Sequence, residues 1–423
     1  MNIFLTGATG FIGGRLAAAL AGRGHALTCG LRTARCAPPA CAQVRQVDFA
    51  RDFEPAAWQS LLEGMEILVN TVGVIRERAG RTFENVHVRA PVAMFAAAQA
   101  AGVRRIIQIS ALGADAGARS AYHLSKRTAD DYLAGLPVDW VVVQPSLVFG
   151  SGGASARLFT MLASLPWIPL PGQGDQRVQP IHVEDLVEAL VALVESPQVQ
   201  RRVVPLVGPA PLQMSDYLAA LRGSLALGPA RFVRVPGPVV AAAATLSGLF
   251  AGGLMDRDTL EMLDRGNTAD PGPTTELLGR APRPASRFVS ADPAGAGVSA
   301  QLAWLLPCLR WSVALVWIAT AIVSVAGYPY AGSLELLART GIPAGWAPIT
   351  LYAAAALDLL LGIASVSRWR RPGLWLLQIA VILAYTLIIT FRLPEFWLHP
   401  FGPVLKNLPM LAALVILYVM ERR

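Results

Sequence analysis

The first thirteen residues, Met1-Asn2-Ile3-Phe4-Leu5-Thr6-Gly7-Ala8-Thr9-Gly10-Phe11-Ile12-Gly13, constrain this chain more than any other stretch. Ile3 to Leu5 read as a short buried strand, and the pattern over Arg15 to Leu20 predicts a helix. Between them stand three glycines spaced G-x-x-G-x-x-G. The first lets the chain turn, the second lets backbone approach a pyrophosphate, and the third lets helix and strand pack closely. The helix N-terminus adds unpaired N–H groups and a partial positive charge. Strand, glycine loop and helix in that order are the context in which such a triplet carries meaning. Thr6, Gly7, Thr9, Gly10, Phe11, Ile12 and Gly13 are therefore candidate contacts to a dinucleotide.

After Gly13, apolar runs alternate with helical patterns, which predicts an α/β fold: a doubly wound parallel sheet of the Rossmann type. Strands are expected over 26–30, 44–47, 67–69 and 105–109. Arg32 follows the second strand, where an acidic residue would bind a ribose 2′-OH and an arginine accommodates a 2′-phosphate. Arg32, with Arg35 as second candidate, favours NADP(H), with NAD(H) as the alternative. Asp48 follows the third strand and can accept from an adenine amine. Asn70, Thr71, Val72 and Gly73 follow the fourth, where small side chains let a cofactor lie across the strand ends. The fifth strand delivers Ser110 at its carboxyl end, where ligands bind in open α/β sheets.

Twelve residues later comes Tyr122-His123-Leu124-Ser125-Lys126. Positions i and i+4 share a helix face, so phenol and ammonium can converge, and a nearby cation lowers a tyrosine pKa. With eight tyrosines and only two lysines, Lys126 and Lys406, a chance Y-x-x-x-K has a probability of about 4%. Taken with the glycine loop and Asp48, the trio Ser110, Tyr122 and Lys126 resembles a short-chain dehydrogenase/reductase of the extended or atypical type, over about residues 1–230. The resemblance implies that Ser110 orients a substrate carbonyl, Tyr122 gives or takes its proton, and Lys126 binds the nicotinamide ribose and tunes Tyr122. Segments 109–115, 144–150 and 179–185 are similar to a narrower branch containing the nucleotide-binding accessory subunit of respiratory complex I. That likeness implies tight NADP(H) binding with no proven turnover. Pro145 and Ser146 join the cofactor-binding set through this likeness. Two positions depart from the family pattern: Asn70-Thr71-Val72-Gly73 replaces an Asn-Ala-Gly core, and Gln144 replaces an arginine. His182 reads as a core or loop histidine.

Residues 231–300 are expected to form a small substrate-side lobe, with 265–297, rich in Pro, Gly and Ala, as an irregular tether. After residue 307 the chain turns strongly apolar, which explains an overall hydrophobic content of 54%. Stretches 307–327, 346–366, 373–391 and 404–420 predict a four-helix transmembrane domain within 301–423, the last stretch being the shortest. Arg310, Arg368, Arg370, Arg371, Arg422 and Arg423 would lie on one side, against Arg339, Arg392 and Lys406 on the other. The positive-inside rule then places both termini in the cytoplasm and the helices in the inner membrane. The first strand starts at the N-terminus, so no cleavable signal peptide is expected before it. Asp358 falls within the second span and should face the bundle, with Gln378 or the Arg392/His399 loop as partner. His399-Pro400-Phe401-Gly402-Pro403 and Lys406-Asn407-Leu408-Pro409 resemble a DoxX-like membrane domain, some relatives of which serve quinone-linked oxidations.

The net charge of +8 is scattered and has no basic run interleaved with aromatics, so nucleic acid is not an expected partner. Cys29, Cys36, Cys41 and Cys308 form no C-x-x-C and no Cys/His pair, so neither a metal site nor a disulfide framework is expected, which suits a reducing compartment. Three readings stay open on sequence grounds. One is an oxidoreductase acting on a lipid- or quinone-like carbonyl. The others are a non-catalytic NADP(H)-binding assembly protein of a respiratory membrane complex, and a quinone-linked electron-transfer module.

Overall fold

Ile3, Phe4 and Leu5 are fully buried, which places β1 (Asn2–Thr6) at the centre of a sheet covered on both faces. Successive side chains point to opposite faces. Ile3 and Leu5 join Leu16, Leu20, Val69 and Ile107 in one apolar cluster, whereas Phe4 joins Leu68, Phe95 and Leu133 in the other. Each such side chain contributes roughly 1.5–3 kcal/mol on burial. β2 (Ala26–Leu31), β3 (Gln43–Gln46), β4 (Ile67–Asn70), β5 (Arg105–Ile109), β6 (Asp139–Pro145) and β11 (Arg202–Leu206) complete the sheet. Its seven strands run in the order β3-β2-β1-β4-β5-β6-β11, all parallel. α1 (Phe11–Gly22) and α6 (Val183–Glu195) cover the first face; α2 (Ala56–Leu62), α3 (Ala90–Ala100) and α4 (Ala121–Ala134) cover the second. This is the expected doubly wound order, with β1 and β4 flanking the reversal point. The computed structural model describes residues 1–196, 198–240, 265–289, 291–367, 372–400 and 402–422.

Two expectations fail in this first unit, which spans residues 1–300. Cys29 and Cys41 form a disulfide, with Cα atoms 5.8 Å apart. Parallel pairing sets Cys29 opposite Val44 and so brings Cys41, three residues earlier, alongside, a contact that a spacing of twelve does not reveal. Cys36 and Cys308 are free and exposed. The tether over 265–297 is instead packed. Gly272–Leu278 is helical, Phe288 stacks on Phe149 at 4.8 Å, and Ala285 and Phe288 are buried with Tyr217 and Leu221. That lobe also holds α5 (Ala154–Ser164), α7 (Met214–Ser224) and three short pairs. The pairs are β7 (Val148–Phe149) with β10 (Ile181–His182), β8 (Ile168–Pro171) with β13 (Phe232–Val235), and β9 (Arg177–Val178) with β12 (Leu212–Gln213).

The second unit, residues 301–423, is helical. Helical segments Pro293–Gly327, Ala347–Val366 and Pro372–Arg392 are long and apolar enough to cross a membrane. Against the four spans expected, Asn407–Glu421 has 15 residues, about 22 Å of helix against about 30 Å of hydrocarbon. Its Leu414 and Leu417 are nonetheless fully buried with Trp317, Trp375 and Ile382. Arg310 pairs with Glu421, which also accepts from Trp375 Nε1 at 2.9 Å, so three helices meet at one end. Arg339 pairs with Glu395, joining the helix Tyr330–Arg339 to the turn Pro394–Trp397. Gln378 does not serve Asp358: its Oε1 accepts from Trp317 Nε1 and its Nε2 donates to Ser365 Oγ, both at 2.8 Å. Asp358 faces inward as expected, but its Oδ1 has no hydrogen-bond partner among the described residues. Arg368, Arg370, Arg371, Phe401 and Arg423, which enter the charge count and the DoxX-like motif, lie outside the described residues.

Candidate cofactor and active site

Gly7 takes a φ of +80°, which favours glycine, and its own carbonyl accepts from Gly10 N–H at 2.8 Å. A Cβ on Gly13 would run into the Gly7 carbonyl and the Thr71 hydroxyl. Gly10 differs: it is exposed, and its Cβ would meet only the Gly7 oxygen at 3.0 Å. The first turn of α1 has no side-chain cap and no acidic residue, so its N–H groups remain available to an anion. This compact cradle fits a pyrophosphate. Thr9 and Gly10 face outward, and Phe11 and Ile12 are half-buried at the start of α1.

Not every expected contact opens toward the cofactor. The Thr6 hydroxyl donates to Asn70 Oδ1 at 2.6 Å, and Asn70 Nδ2 donates to Gln108 Oε1 at 2.7 Å. Thr71 Oγ1 donates to the Thr6 carbonyl at 2.7 Å, and Ser146 Oγ donates to Gln179 O at 2.6 Å. These four side chains, read as cofactor ligands, are turned inward because buried polar groups need partners at the sheet centre. Pro145 is buried at the end of β6. Val72 is half-buried and Gly73 exposed, and a Cβ on Gly73 would lie 3.1 Å from Lys126 Nζ. Arg32 and Arg35 are exposed just past β2, within the loop closed by the disulfide. Asp48 is half-buried past β3, where its Oδ1 accepts from Ala50 N–H at 3.0 Å.

α4 starts cleanly because Ser120 caps it, accepting from His123 N–H. Tyr122, Lys126 and Asp130 then fall on one face, at i, i+4 and i+8. Lys126 Nζ donates to Ile109 O at 3.0 Å and Val72 O at 3.5 Å, bridging the ends of β5 and β4. Ser110 donates its hydroxyl proton to Asp130 Oδ2. The Tyr122 ring packs edge-on against Phe83, His87 and His123. Burial pushes the Tyr122 hydroxyl up to about 12, and the Asp130 charge adds to that. The lowering expected from Lys126 is thus reversed: the ammonium is turned to backbone carbonyls, and a carboxylate shares its face. Tyr122 is therefore a protonated donor at neutral pH.

His87 sits beneath this helix. Val74 N–H donates to its Nε2 at 3.0 Å, which assigns the ring proton to Nδ1, 2.9 Å from Ser125 Oγ. Burial, with help from the Lys126 charge, pushes His87 down to about 2, so the folded ring stays neutral. In the unfolded chain it takes up a proton below about pH 6.5, where the folded state binds fewer protons. Stability should therefore fall with decreasing pH, by about 1.4 kcal/mol per unit from this group. His87→Gln should flatten the slope by that amount in denaturant unfolding followed from pH 6.5 to 5. An unchanged slope would show that His87 does not titrate on unfolding.

Four residues around this site are not expected from the sequence alone. Asp130 and His87 surround the Tyr/Lys pair, and the helical spacing of Asp130 was the one visible signal. Arg265 and Asn267 come from far along the chain: Arg265 donates to Gly113 O at 2.6 Å and pairs with Asp115, while Asn267 Oδ1 accepts from Leu147 N–H at 2.8 Å.

Residues 3–204 match the NAD dependent epimerase/dehydratase family, and residues 314–415 match the DoxX-like family. A ceramide reductase from Caulobacter vibrioides is 30% identical over 259 residues, covering 58% of this chain and 76% of that protein. The chain belongs to the NAD dependent epimerase/dehydratase family. Mouse mitochondrial NADH dehydrogenase [ubiquinone] 1 alpha subcomplex subunit 9 is 27% identical over 147 residues, or 34% of this chain and 38% of the subunit. A nucleoside-diphosphate-sugar epimerase from Staphylococcus aureus shares the fold at a TM-score of 0.57 and 19% identity, covering 68% of this chain and 99% of its own. The epimerase/dehydratase head is thus an NAD(P)-binding, short-chain dehydrogenase/reductase-like domain, followed by a DoxX-like membrane domain.

Proposed function

We propose that the protein is a membrane-anchored, NAD(P)H-dependent reductase that acts on the carbonyl of a long-chain lipid. The placement of Tyr122 and Lys126 one turn apart on α4, with the Lys126 ammonium at the ends of β4 and β5 near Gly73, carries this reading. Bound there, the nicotinamide dinucleotide supplies hydride. Tyr122 gives its phenolic proton to the carbonyl oxygen as that oxygen gains charge. Lys126 ties α4 to the ends of β4 and β5 and so holds Tyr122 in place, and Ser110 fixes the carbonyl. The membrane-crossing helices and the similarity to a ceramide reductase support a lipid over a soluble substrate. A quinone-like carbonyl is the alternative substrate class.

Arg32 favours NADPH, because it stands exposed where a 2′-phosphate would fall. Purified in detergent, the protein should oxidise NADPH when a ketone-bearing ceramide-type lipid is added, and less so with a short-chain quinone. Arg32→Asp should move preference toward NADH by about 1–3 kcal/mol. No oxidation with either acceptor would remove the reductase reading, and an unmoved cofactor ratio would leave Arg32 as a surface residue.

We assign the head to the cytoplasm and the helices to the inner membrane from the arginine asymmetry, against which the Cys29–Cys41 disulfide, uncommon in a reducing compartment, is the contrary observation. The meeting of Arg310, Trp375 and Glu421 at one end of the bundle supports an even number of crossings. Reporters fused after Arg371 and Arg423 should read as cytoplasmic, and one near Gly341 as periplasmic. A periplasmic reading at Arg423 would mean that Asn407–Glu421 does not cross.

A second reading has its own support. The similarity to a complex I accessory subunit favours a nucleotide-binding assembly or stability role without turnover.

A further inference from the structure

Ser110 can steer a carbonyl only if its hydroxyl proton is available to it. In this structure that proton is committed to Asp130 Oδ2. Asp130 is 6% exposed, and for a buried carboxyl it has few partners. Its Oδ1 has no hydrogen-bond partner among the described residues, and neither does the buried Gln108 Nε2, two residues before Ser110 on β5. Lys126, one turn away, directs its ammonium to Ile109 O and Val72 O.

We propose that Asp130 is a positioning residue that sets the direction of the Ser110 hydroxyl. When Asp130 is ionised, Ser110 donates to it and offers a substrate only lone pairs. When Asp130 takes one proton from solvent onto Oδ2, it donates to Ser110 Oγ. The Ser110 hydroxyl then rotates and presents its proton to the carbonyl. No covalent bond to carbon changes; one proton enters and one rotor turns.

The surroundings suit two charge states. Burial pushes the Asp130 carboxyl up, whereas the Ser110 hydrogen bond and the Lys126 charge pull the other way, and Asp131 adds to the rise. On its own helix Tyr122, His123, Arg127 and Tyr132 are the remaining ionisable groups. Of the elements packed on α4, α3 carries no ionisable group, the segment Glu84–Arg89 carries Glu84 and Arg89 beside the neutral His87, and Asp139 on β6 is tied to Arg105. The Asp130 charge state is therefore set locally.

The catalytic consequence rests on the reductase reading; the hydrogen-bond pair does not. Infrared difference spectra of the full chain in detergent, from pH 5 to 9, test the pair alone. A carboxylic-acid carbonyl stretch should fade as pH rises, be missing in Asp130→Asn and shift in Ser110→Ala. Spectra in which Asp130→Asn removes no titrating band would overturn the proposal. Turnover tests the consequence. In the parent, kcat/KM should fall about 10²-fold as Asp130 ionises, matching the loss of one oxyanion-type donor in Ser110→Ala. Asp130→Asn, whose side chain carries no titratable proton, should be flat over that range. The same fall in Asp130→Asn as in the parent would overturn the proposal. If Asp130→Asn does not fold, Ser110→Ala decides: low, pH-independent turnover supports the switch, and a retained limb overturns it. A parent with the infrared band but no turnover would support the pair and sink the reductase reading instead.

Discussion

Tyr122→Phe should leave nucleotide affinity unchanged and lower turnover by about 10²–10⁴-fold, the usual loss for a general acid. The substitution removes one oxygen and keeps the ring, which packs against Phe83, His87 and His123. The hydroxyl has no hydrogen-bond partner among the described residues, so its removal strands no buried donor or acceptor. The same variant separates the two readings in cells without knowledge of the substrate. A reductase lacking its proton donor should fail to complement a deletion, whereas an assembly protein that only binds nucleotide should complement fully. Full complementation would move the assignment to the binding role.

Gly10→Val should abolish dinucleotide binding in a protein that still folds. Gly10 is the exposed member of the triplet, and a side chain there meets little of the protein itself. It would instead occupy the approach of the phosphates to the N-terminus of α1. Losing two hydrogen bonds to a charged group, at about 1.5–3 kcal/mol each, lowers affinity at least about 100-fold. Titration with NADPH, followed by nicotinamide fluorescence, measures this directly, and parent-like affinity in the folded variant would refute the cradle assignment. Gly13→Val, in contrast, should fail to fold, because its side chain runs into the Gly7 carbonyl.

What could be read from the sequence was local. β1, the glycine turn and α1 succeed one another without a gap, so a period-2 run, three glycines and a period-3.6 run suffice to place them. β5 is legible to the residue, because it is an apolar pattern with clear ends. Tyr122 and Lys126 were legible for the same reason: one helical turn relates them. The charge balance around them was not. It depends on where Ser110, from another element, sends its proton, and on how deeply Asp130 is buried. The Cys29–Cys41 bridge escaped notice because strand pairing, not spacing, brings the two sulfurs together. Thr6, Asn70, Thr71 and Ser146 looked like ligands by position, yet the sheet interior needs their hydrogen bonds.

The segment after residue 265 bears on how this protein can be dissected. All seven strands of the large sheet are complete by Leu206, so residue 230 looks like a natural place to cut. The hydrogen bonds say otherwise. Asn267 accepts from Leu147 N–H, and the Thr274 hydroxyl accepts from the buried Val207 N–H at 2.9 Å. A fragment ending at 230 would leave both donors without acceptors, at about 1–3 kcal/mol for each one that stays buried. It would also release Gly113 and Asp115 from Arg265, freeing the loop that leads from Ser110 to Tyr122. During synthesis the sheet is therefore finished well before the loop between Ser110 and Tyr122 is fastened. A head that keeps these contacts therefore has to run to at least Phe288.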